Sequence, residues 1–207
     1  MISKGISTII FDLGGVILDL DYQLTQQAFE ELGTGNFQQH YTQAAQSGLF
    51  DLYETGKIST NHFVNKLLDM LPKGTTPNKV VQAWNAMIKE FPADNLELLR
   101  KLKEDYQLIL LSNTNELHID FLERKLRKHG EHLQLKDFFS HAYYSSELGM
   151  RKPHPETFQH ICELHQLNVS ETLFIDDTAG HIEGAQKCGL KTCHFTTGAY
   201  QLNQLFS

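Results

Sequence analysis

The sequence predicts an α/β fold in which a parallel-sheet core carries an inserted all-helical cap. Short apolar runs of strand character alternate with helical patterns near the start of the chain and through its second half. This alternation is typical of a parallel sheet with crossover helices. Between those two stretches, from about residue 20 to residue 91, only helical periodicity and turn breakers occur. A chain of 207 residues is long enough for one domain with a smaller module inserted in it.

Five apolar runs are predicted to form the strands of the sheet. The first run is continuous and apolar, as expected of a strand buried on both faces. In chain order, the predicted strands cover residues 8–11, 108–111, 142–144, 172–175 and 192–195. The first, second and fourth runs end abruptly at polar residues or glycines, which marks where each strand ends.

Helical patterns separate the later strands. They cover 94–103, 155–165 and 180–187. The second begins with a proline in its first turn, and the third precedes Gly189, which is placed as a helix C-cap.

The insertion is also helical. Ser59 is placed to cap one helix, and Thr76 with Pro77 to open another. A block of about 70 residues is too long for an ordinary connection, so we expect a separate module over the carboxyl end of the first strand. The predicted domains are a core formed by 1–19 with 92–207 and a cap formed by 20–91.

Composition and charge restrict the classes of function. The chain is 41% hydrophobic and 21% charged, which is typical of a globular protein, and its net charge of -7 disfavours nucleic acid and anionic membranes as partners. The N-terminus lacks a signal-peptide pattern, and no apolar run reaches the roughly 20 residues that span a bilayer. The three cysteines lack a CxxC pair and are expected to be reduced thiols. We therefore expect a cytoplasmic protein, as a monomer or weak homodimer.

Polar residues follow several of the predicted strands. Asp12 follows the first, Ser112 and Asn113 the second, and Asp176 and Asp177 the fourth. Ligands of open parallel sheets bind at the carboxyl ends of strands, near the topological switch point. Three carboxylates suit a hard cation such as Mg²⁺. Each residue alone is more often a turn or cap residue, so it is their recurrence at successive strand ends that favours a site.

Groups suited to phosphate lie near the same strand ends. Lys152 follows the third strand, and an ammonium group beside the Ser112 hydroxyl could hold a phosphate. Gly14 and Gly15 allow a ligand to approach the backbone closely. Taken alone, Lys152 is more simply explained as a solvated charge.

Four segments in this order resemble the motifs of the haloacid dehalogenase-like (HAD) phosphatases. They are residues 11–16 (FDLGGV), 111–113 (LSN), 149–153 (GMRKP) and 174–177 (FIDD). The resemblance covers essentially the whole chain and implies a HAD-like, Rossmann-like core with a helical cap inserted after the first motif. Within the family, several stretches are similar to the bacterial α-D-glucose-1-phosphate phosphatases. The motifs specify the superfamily more strongly than the substrate.

The resemblance implies a phosphatase mechanism for a small phosphorylated metabolite. Asp12 would be the nucleophile, forming an aspartyl-phosphate that water then hydrolyses. Ser112 and the backbone N–H of Asn113 would bind phosphoryl oxygens, and Lys152 would neutralise their charge.

The resemblance also implies a Mg²⁺ site. Asp177 would bind the ion beside an oxygen of Asp12 and the carbonyl of Gly14, with Asp176 assisting through water or hydrogen bonds.

Two positions depart from the family pattern. The family usually has an Asp acid two residues after the nucleophile, where this chain has Gly14. General acid–base catalysis contributes about 10²- to 10⁴-fold, so either the leaving group departs readily or another group supplies the proton. The glucose-1-phosphate branch resembles this chain in having glycine there. His181 stands where Asn or Asp is frequent; it could bond Asp177 or Lys152, supply acid–base function, or lie on a helix surface.

Two other functions are compatible with the same residues. A haloacid dehalogenase uses the same Asp nucleophile, although the pair of Asp176 and Asp177 argues against it because halide displacement needs no Mg²⁺. A binding module could have kept the phosphate pocket and lost turnover with the missing acid.

Overall fold

A five-stranded parallel sheet forms the centre of the molecule. The computed structural model describes residues 5–35, 48–128, 134–196 and 201–206. The strands lie in the order β3-β2-β1-β4-β5. They are β1 (Thr8–Phe11), β2 (Gln107–Ser112), β3 (His141–Tyr144), β4 (Thr172–Asp176) and β5 (Lys191–His194). All five predicted strands are confirmed, with ends that differ by one residue.

Among the described residues of the insertion, four helices lie between β1 and the rest of the core. They are α1 (Tyr22–Glu31), α2 (Leu49–Glu54), α3 (Thr60–Leu68) and α4 (Pro77–Asn85). The predicted starts are confirmed: the Ser59 side chain accepts a bond from the His62 N–H, and Pro77 opens α4. Asp21 caps α1 by accepting from the Gln23 N–H at 3.0 Å. Within the described part of the insertion, β pairing is limited to an isolated bridge between Leu20 and Ile88.

The helices of the core connect and cover the strands. They are α5 (Ala93–Asp105), α6 (Glu116–Lys128), α7 (Ser145–Leu148), α8 (Pro155–Leu164) and α9 (Ala179–Lys187). Three were predicted within two residues of their ends, whereas α6 and the short α7 were not. None of the described helices is both long and apolar enough to cross a membrane.

Alternate residues of the central strands face opposite sides of the sheet, as strand geometry requires. Ile9 and Phe11 belong to one apolar cluster and Ile10 to another, and all three are 0% exposed. The first cluster includes residues of α5 and α6, and the second includes residues of α8 and α9. Strands buried on both faces by helices explain the continuous apolar runs in the sequence.

The inserted helices have an apolar cluster of their own. Phe63 is 0% exposed at its centre; its ring lies 4.1 Å from that of Tyr53 and 4.8 Å from that of Trp84. Apolar residues at helical spacing in the insertion are expected to be core rather than pocket lining, which is confirmed for Phe63, and Phe50 stacks on Trp84 at 5.5 Å. Phe37, for which the same expectation holds, lies outside the described residues. Leu117 of α6 also packs into this cluster, joining the insertion to the sheet.

Candidate active site

The topology places two of the predicted carboxylates side by side. β1 and β4 pair in parallel, with Phe11 opposite Ile175, so Asp12 and Asp176 follow at neighbouring strand ends. The Asp12 N–H donates to the Ile175 carbonyl at 2.9 Å. In the sheet, β2 and β3 lie on one side of β1, and β4 and β5 lie on the other side. Asp12 therefore lies at the topological switch point, where ligands of such sheets bind.

Lys152 joins these two carboxylates. Its Nζ donates to Asp12 Oδ1 and to Asp176 Oδ2, both at 2.7 Å. Lys152 and Asp176 are 0% exposed and Asp12 is 7% exposed. The interpretation of Lys152 as a solvated charge is thus wrong, because paired carboxylates allow its ammonium group to be buried.

Burial and charge pairing act together on the pKa values. Burial raises the pKa of Asp12 to about 6, with Lys152 opposing this and Asp176 reinforcing it. Burial alone would lower the pKa of Lys152, but Asp12 and Asp176 outweigh it and raise that pKa. Burial would likewise raise the pKa of Asp176, but Lys152 and then His181 lower it overall. Asp12 is therefore mainly ionised at neutral pH without a base to activate it.

Asn113 fixes the backbone that carries Lys152. Its Oδ1 accepts from the Lys152 N–H at 3.0 Å, and its Nδ2 donates to the Lys152 carbonyl at 2.8 Å. The role predicted for Asn113 was limited to its backbone N–H. The structure adds this second contact, which ties the end of β2 to the Lys152 loop.

The three carboxylates lie close enough to share one cation. Oxygens of Asp12, Asp176 and Asp177 lie within 4.8 Å of one another. A Cβ added at Gly15 would lie 2.0 Å from Asp177 Oδ2, so the carboxylate occupies space that only glycine leaves open. Burial, and then Asp176, raise the pKa of Asp177. Adjacent oxygen donors of this kind fit a magnesium ion, which relieves the repulsion between them.

His181 contacts a different partner from those considered. Its Nδ1 lies 3.0 Å from both carboxylate oxygens of Asp176. Asp176 Oδ1 also accepts from the Thr178 N–H at 2.8 Å. The considered bonds to Asp177 or Lys152 are therefore wrong. His181 lies in the first turn of α9, which directs its ring back towards the end of β4.

A cavity of about 110 Å³ opens beside these groups. Gly14, Ser112 and Asn113 line one end of it, and Ser112 is only 3% exposed. A Cβ added at Gly14 would lie 2.5 Å from Leu20 Cδ1. Leu20 thus occupies the space into which an acid side chain at position 14 would extend.

The arrangement agrees with comparisons to known proteins. Residues 6–189 match the haloacid dehalogenase-like hydrolase family. The chain belongs to this family.

Similarity to particular members extends over nearly the whole chain. The sequence is 32% identical to the D-ribitol-5-phosphate phosphatase of Bacteroides thetaiotaomicron, over 94% of each chain. It is 27% identical to a glyceraldehyde 3-phosphate phosphatase of Pyrococcus abyssi, over 93% of this chain and 82% of the relative. A HAD family enzyme of B. thetaiotaomicron, crystallised with magnesium and inorganic phosphate, superposes with a TM-score of 0.88 at 31% identity, over 98% of this chain and 100% of that chain.

This HAD-like hydrolase places in the cavity further polar groups to which the sequence assigned no role. Glu54 ends α2 and lines the cavity, while its Oε2 pairs with Arg151 Nη2 at 3.0 Å. His118 lines it from α6 and stacks on Trp84 with ring centroids 5.4 Å apart. Neither residue lies at the end of a strand, and Glu54 comes from the insertion. Without the tertiary structure, no local signal separates them from ordinary helix residues.

Proposed function

We propose that this protein is a magnesium-dependent phosphatase, a phosphoric monoester hydrolase that acts on a small phosphorylated metabolite. The observation that carries the proposal is the arrangement of Asp12, Lys152 and the two following carboxylates at the switch point. Ionised Asp12 can attack phosphorus, and a buried ammonium group beside it can offset the charge of the phosphoryl oxygens. Phosphoryl transfer depends mainly on such alignment and electrostatic stabilisation.

The proposed reaction has two steps at phosphorus. An oxygen of Asp12 bonds to phosphorus as the bond from phosphorus to the substrate oxygen breaks, and the departing oxygen takes up a proton. Water then attacks the aspartyl-phosphate, which releases inorganic phosphate and restores Asp12. Ser112 and the Asn113 N–H bind the phosphoryl oxygens, and Lys152 holds its charge close to them.

The residues that would hold magnesium are Asp12, Asp177 and the Gly14 carbonyl, with Asp176 assisting through water or hydrogen bonds. The close approach of three carboxylates supports this assignment. When bound, the ion would neutralise phosphoryl charge and help to align the phosphate. Asp176 would act mainly by holding Lys152, since its Oδ2 already accepts from that ammonium group.

The glycine at position 14 restricts the leaving group. Glycine has no side chain, so no acid acts from this position, and Leu20 lies in the adjacent space. A substrate whose oxygen departs readily, or which supplies the proton from its own hydroxyl, suits the site. We propose a sugar or polyol phosphate, with glucose 1-phosphate and ribitol 5-phosphate as the first candidates.

We also propose that residues 20–91 act as a cap over a core formed by 1–19 and 92–207. The separate apolar cluster of α1 to α4 supports this division, and Glu54 of α2 and Trp84 of α4 help to line the cavity. A cytoplasmic location and a monomeric or weakly dimeric state stay predictions of the sequence.

The test is turnover of a substrate panel by the wild-type protein and Asp12→Asn. The panel contains glucose 1-phosphate, ribitol 5-phosphate, p-nitrophenyl phosphate and a haloacid, each with and without Mg²⁺. We expect phosphate release that a chelator and Asp12→Asn both abolish. The control Asp69→Asn removes a carboxylate that is 71% exposed and should retain activity.

The other two functions give different results in the same assay. Metal-independent halide release would identify a dehalogenase. Binding of inorganic phosphate without turnover of any ester would identify a binding module. Either outcome would overturn the phosphatase proposal.

A further inference from the structure

The cavity beside the phosphate-binding groups has walls of two kinds. Leu20, Met87, Ile88 and Leu122 supply an apolar wall. Polar groups face it, and Glu54 brings a carboxylate to this surface from α2. A polyhydroxy carbon chain, with C–H groups on one side and hydroxyls on the other, suits such a lining.

Arg151 fixes the position of Glu54. Its Nη2 lies 3.0 Å from Glu54 Oε2, and its Nη1 lies 3.1 Å from Asp51 Oδ1. One guanidinium group thus forms ion pairs with two carboxylates of the same helix. Within the described part of the chain, Oε1 of Glu54 has no hydrogen-bond partner, so it can accept from a ligand.

Two of the neighbouring polar side chains are already bonded. Asn113 uses its amide on the backbone of Lys152. The ring nitrogens of His118 lie 3.3 Å from Asn115 Nδ2 and 3.4 Å from the Trp84 carbonyl. By contrast, Glu54 combines a fixed position with an available acceptor oxygen.

We propose that Glu54 is a specificity-determining residue, whose carboxylate accepts hydrogen bonds from hydroxyls of the leaving group and repels leaving groups that carry negative charge. This inference rests on the proposed phosphatase function and narrows its substrates to phosphate esters of neutral polyols and sugars. Hydrogen bonds to an ionised acceptor are about twice as strong as those between neutral groups. The charge of Glu54 therefore both strengthens binding of hydroxyls and rejects acids.

The chain offers a matched pair of variants for the test. Glu54→Gln removes the charge at the cavity, whereas Asp51→Asn removes the other carboxylate on Arg151. Asp51 is not among the residues that line this cavity. Both variants weaken the Arg151 cluster, but only the first changes the surface that the substrate would meet.

The assay compares kcat/KM for three esters with Mg²⁺ present. The leaving group of ribitol 5-phosphate is a neutral polyol, and that of 3-phosphoglycerate carries a carboxylate. The leaving group of p-nitrophenyl phosphate has no further hydroxyl and departs readily. The wild-type enzyme should prefer ribitol 5-phosphate to 3-phosphoglycerate. Glu54→Gln should lower kcat/KM for ribitol 5-phosphate at least about tenfold, the scale of a hydrogen bond to a charged group, and raise it for 3-phosphoglycerate. Asp51→Asn should stay within about threefold of wild type on p-nitrophenyl phosphate, and Glu54→Gln should lose less on this ester than on ribitol 5-phosphate, because it has no hydroxyl for Glu54 to bind.

Each other outcome has a definite meaning. A Glu54→Gln profile equal to that of Asp51→Asn across all three esters, or a wild-type preference for 3-phosphoglycerate, overturns the role of Glu54 and leaves the phosphatase function intact. Failure of the wild-type protein to hydrolyse any ester, including p-nitrophenyl phosphate, overturns the proposed function itself and the inference with it. Melting temperatures of both variants show whether either has lost its fold.

Discussion

At the scale of single residues, Lys152 is both a structural group and a component of the site. Its ammonium group lies between two carboxylates and is 0% exposed. Removing one partner of a buried ion pair costs about 3–5 kcal/mol, because the remaining charge stays unpaired away from water. The stability of this edge of the sheet and the charge needed at the phosphate therefore depend on the same side chain.

Gly15 gives a sharp test of the metal site. Its φ is +77°, and a Cβ there would lie 2.0 Å from Asp177 Oδ2. We expect Gly15→Ala to displace the Asp177 carboxylate and to raise the Mg²⁺ concentration for half-maximal activity at least about tenfold, the scale on which groups that orient a metal ligand affect affinity.

Gly35→Ala is the control for backbone strain. Gly35 has a φ of +69°, and a Cβ there would meet nothing within 4 Å. The Gly35→Ala variant should be somewhat less stable than the wild-type protein and should require the same Mg²⁺ concentration for half-maximal activity. Titration of activity with Mg²⁺ measures this requirement. An unchanged Mg²⁺ requirement in Gly15→Ala would contradict the assigned role of Asp177.

Residue types at strand ends could be predicted because polarity changes sharply there. Asp12, Ser112 and Asp176 interrupt apolar runs, and the structure brings them to one edge of the sheet. The bond between His181 and Asp176 could not be derived, since it depends on how α9 packs against β4. Glu54 could not be found either, because its position depends on how the insertion folds over the core.

At the scale of elements, α9 sets the position of the Lys152 loop by close packing. A Cβ added at Gly184 would lie 2.2 Å from the Pro153 carbonyl oxygen and 3.0 Å from Phe158. A helix-interior glycine ordinarily costs about 0.5–1 kcal/mol relative to alanine. Here the absence of a side chain is what allows the helix and the loop to touch.

That contact determines whether Gly184→Ala raises or lowers the free energy of unfolding. The gain in helix propensity is small, whereas backbone would have to move to admit the methyl group. We expect a loss of about 1–3 kcal/mol, typical of overpacking, together with reduced activity from a displaced Lys152. Urea unfolding and p-nitrophenyl phosphate turnover measure the two effects.

Gly180→Ala supplies the comparison within the same helix. Its Cβ would meet nothing within 4 Å, so this variant should be neutral or more stable by up to about 1 kcal/mol. Equal stability of the two variants would show that α9 does not depend on this contact.

Elements differed in how well the sequence predicted them. Helix α5 was found because Leu96, Leu99 and Leu102 form a regular apolar face, and the structure buries all three. Helix α6 was missed although it spans 13 residues. Its buried residues divide between two apolar clusters. Leu117 packs in the cluster of the insertion, whereas Leu122 and Leu126 pack in the cluster of the core. A helix that serves two clusters has no single simple stripe to detect.

At the scale of the whole molecule, α6 also joins the insertion to the sheet through His118. The ring stacks on Trp84 of α4, and Nε2 lies 3.4 Å from the Trp84 carbonyl. The alternation of strands and helices predicted the sheet and the insertion as separate parts. The alternation does not predict how the two parts pack together, because that contact depends on side chains far apart in the sequence.

The burial of His118 against Trp84 makes the stability of the folded state sensitive to acid. Burial lowers the pKa of His118 from 6.5 to about 4, only partly opposed by its contact with the Trp84 carbonyl. Below pH 6.5 the unfolded chain therefore binds a proton that the folded chain does not bind. Stability from this group is present above pH 6.5 and is lost as the pH falls towards 4, with a slope of up to about 1.4 kcal/mol per pH unit.

Urea unfolding of the wild-type protein and His118→Gln between pH 7.5 and pH 4 measures this contribution. Glutamine keeps a donor near the Trp84 carbonyl but does not titrate. We expect the stability advantage of the wild-type protein to be largest at pH 7.5 and to shrink continuously on acidification, whereas other titrating groups cancel in the difference. His160→Gln removes an exposed imidazole on α8 and controls for the loss of a surface side chain. A difference between wild type and His118→Gln that stays constant with pH would mean that protonation of His118 does not oppose the packing of the insertion on the core.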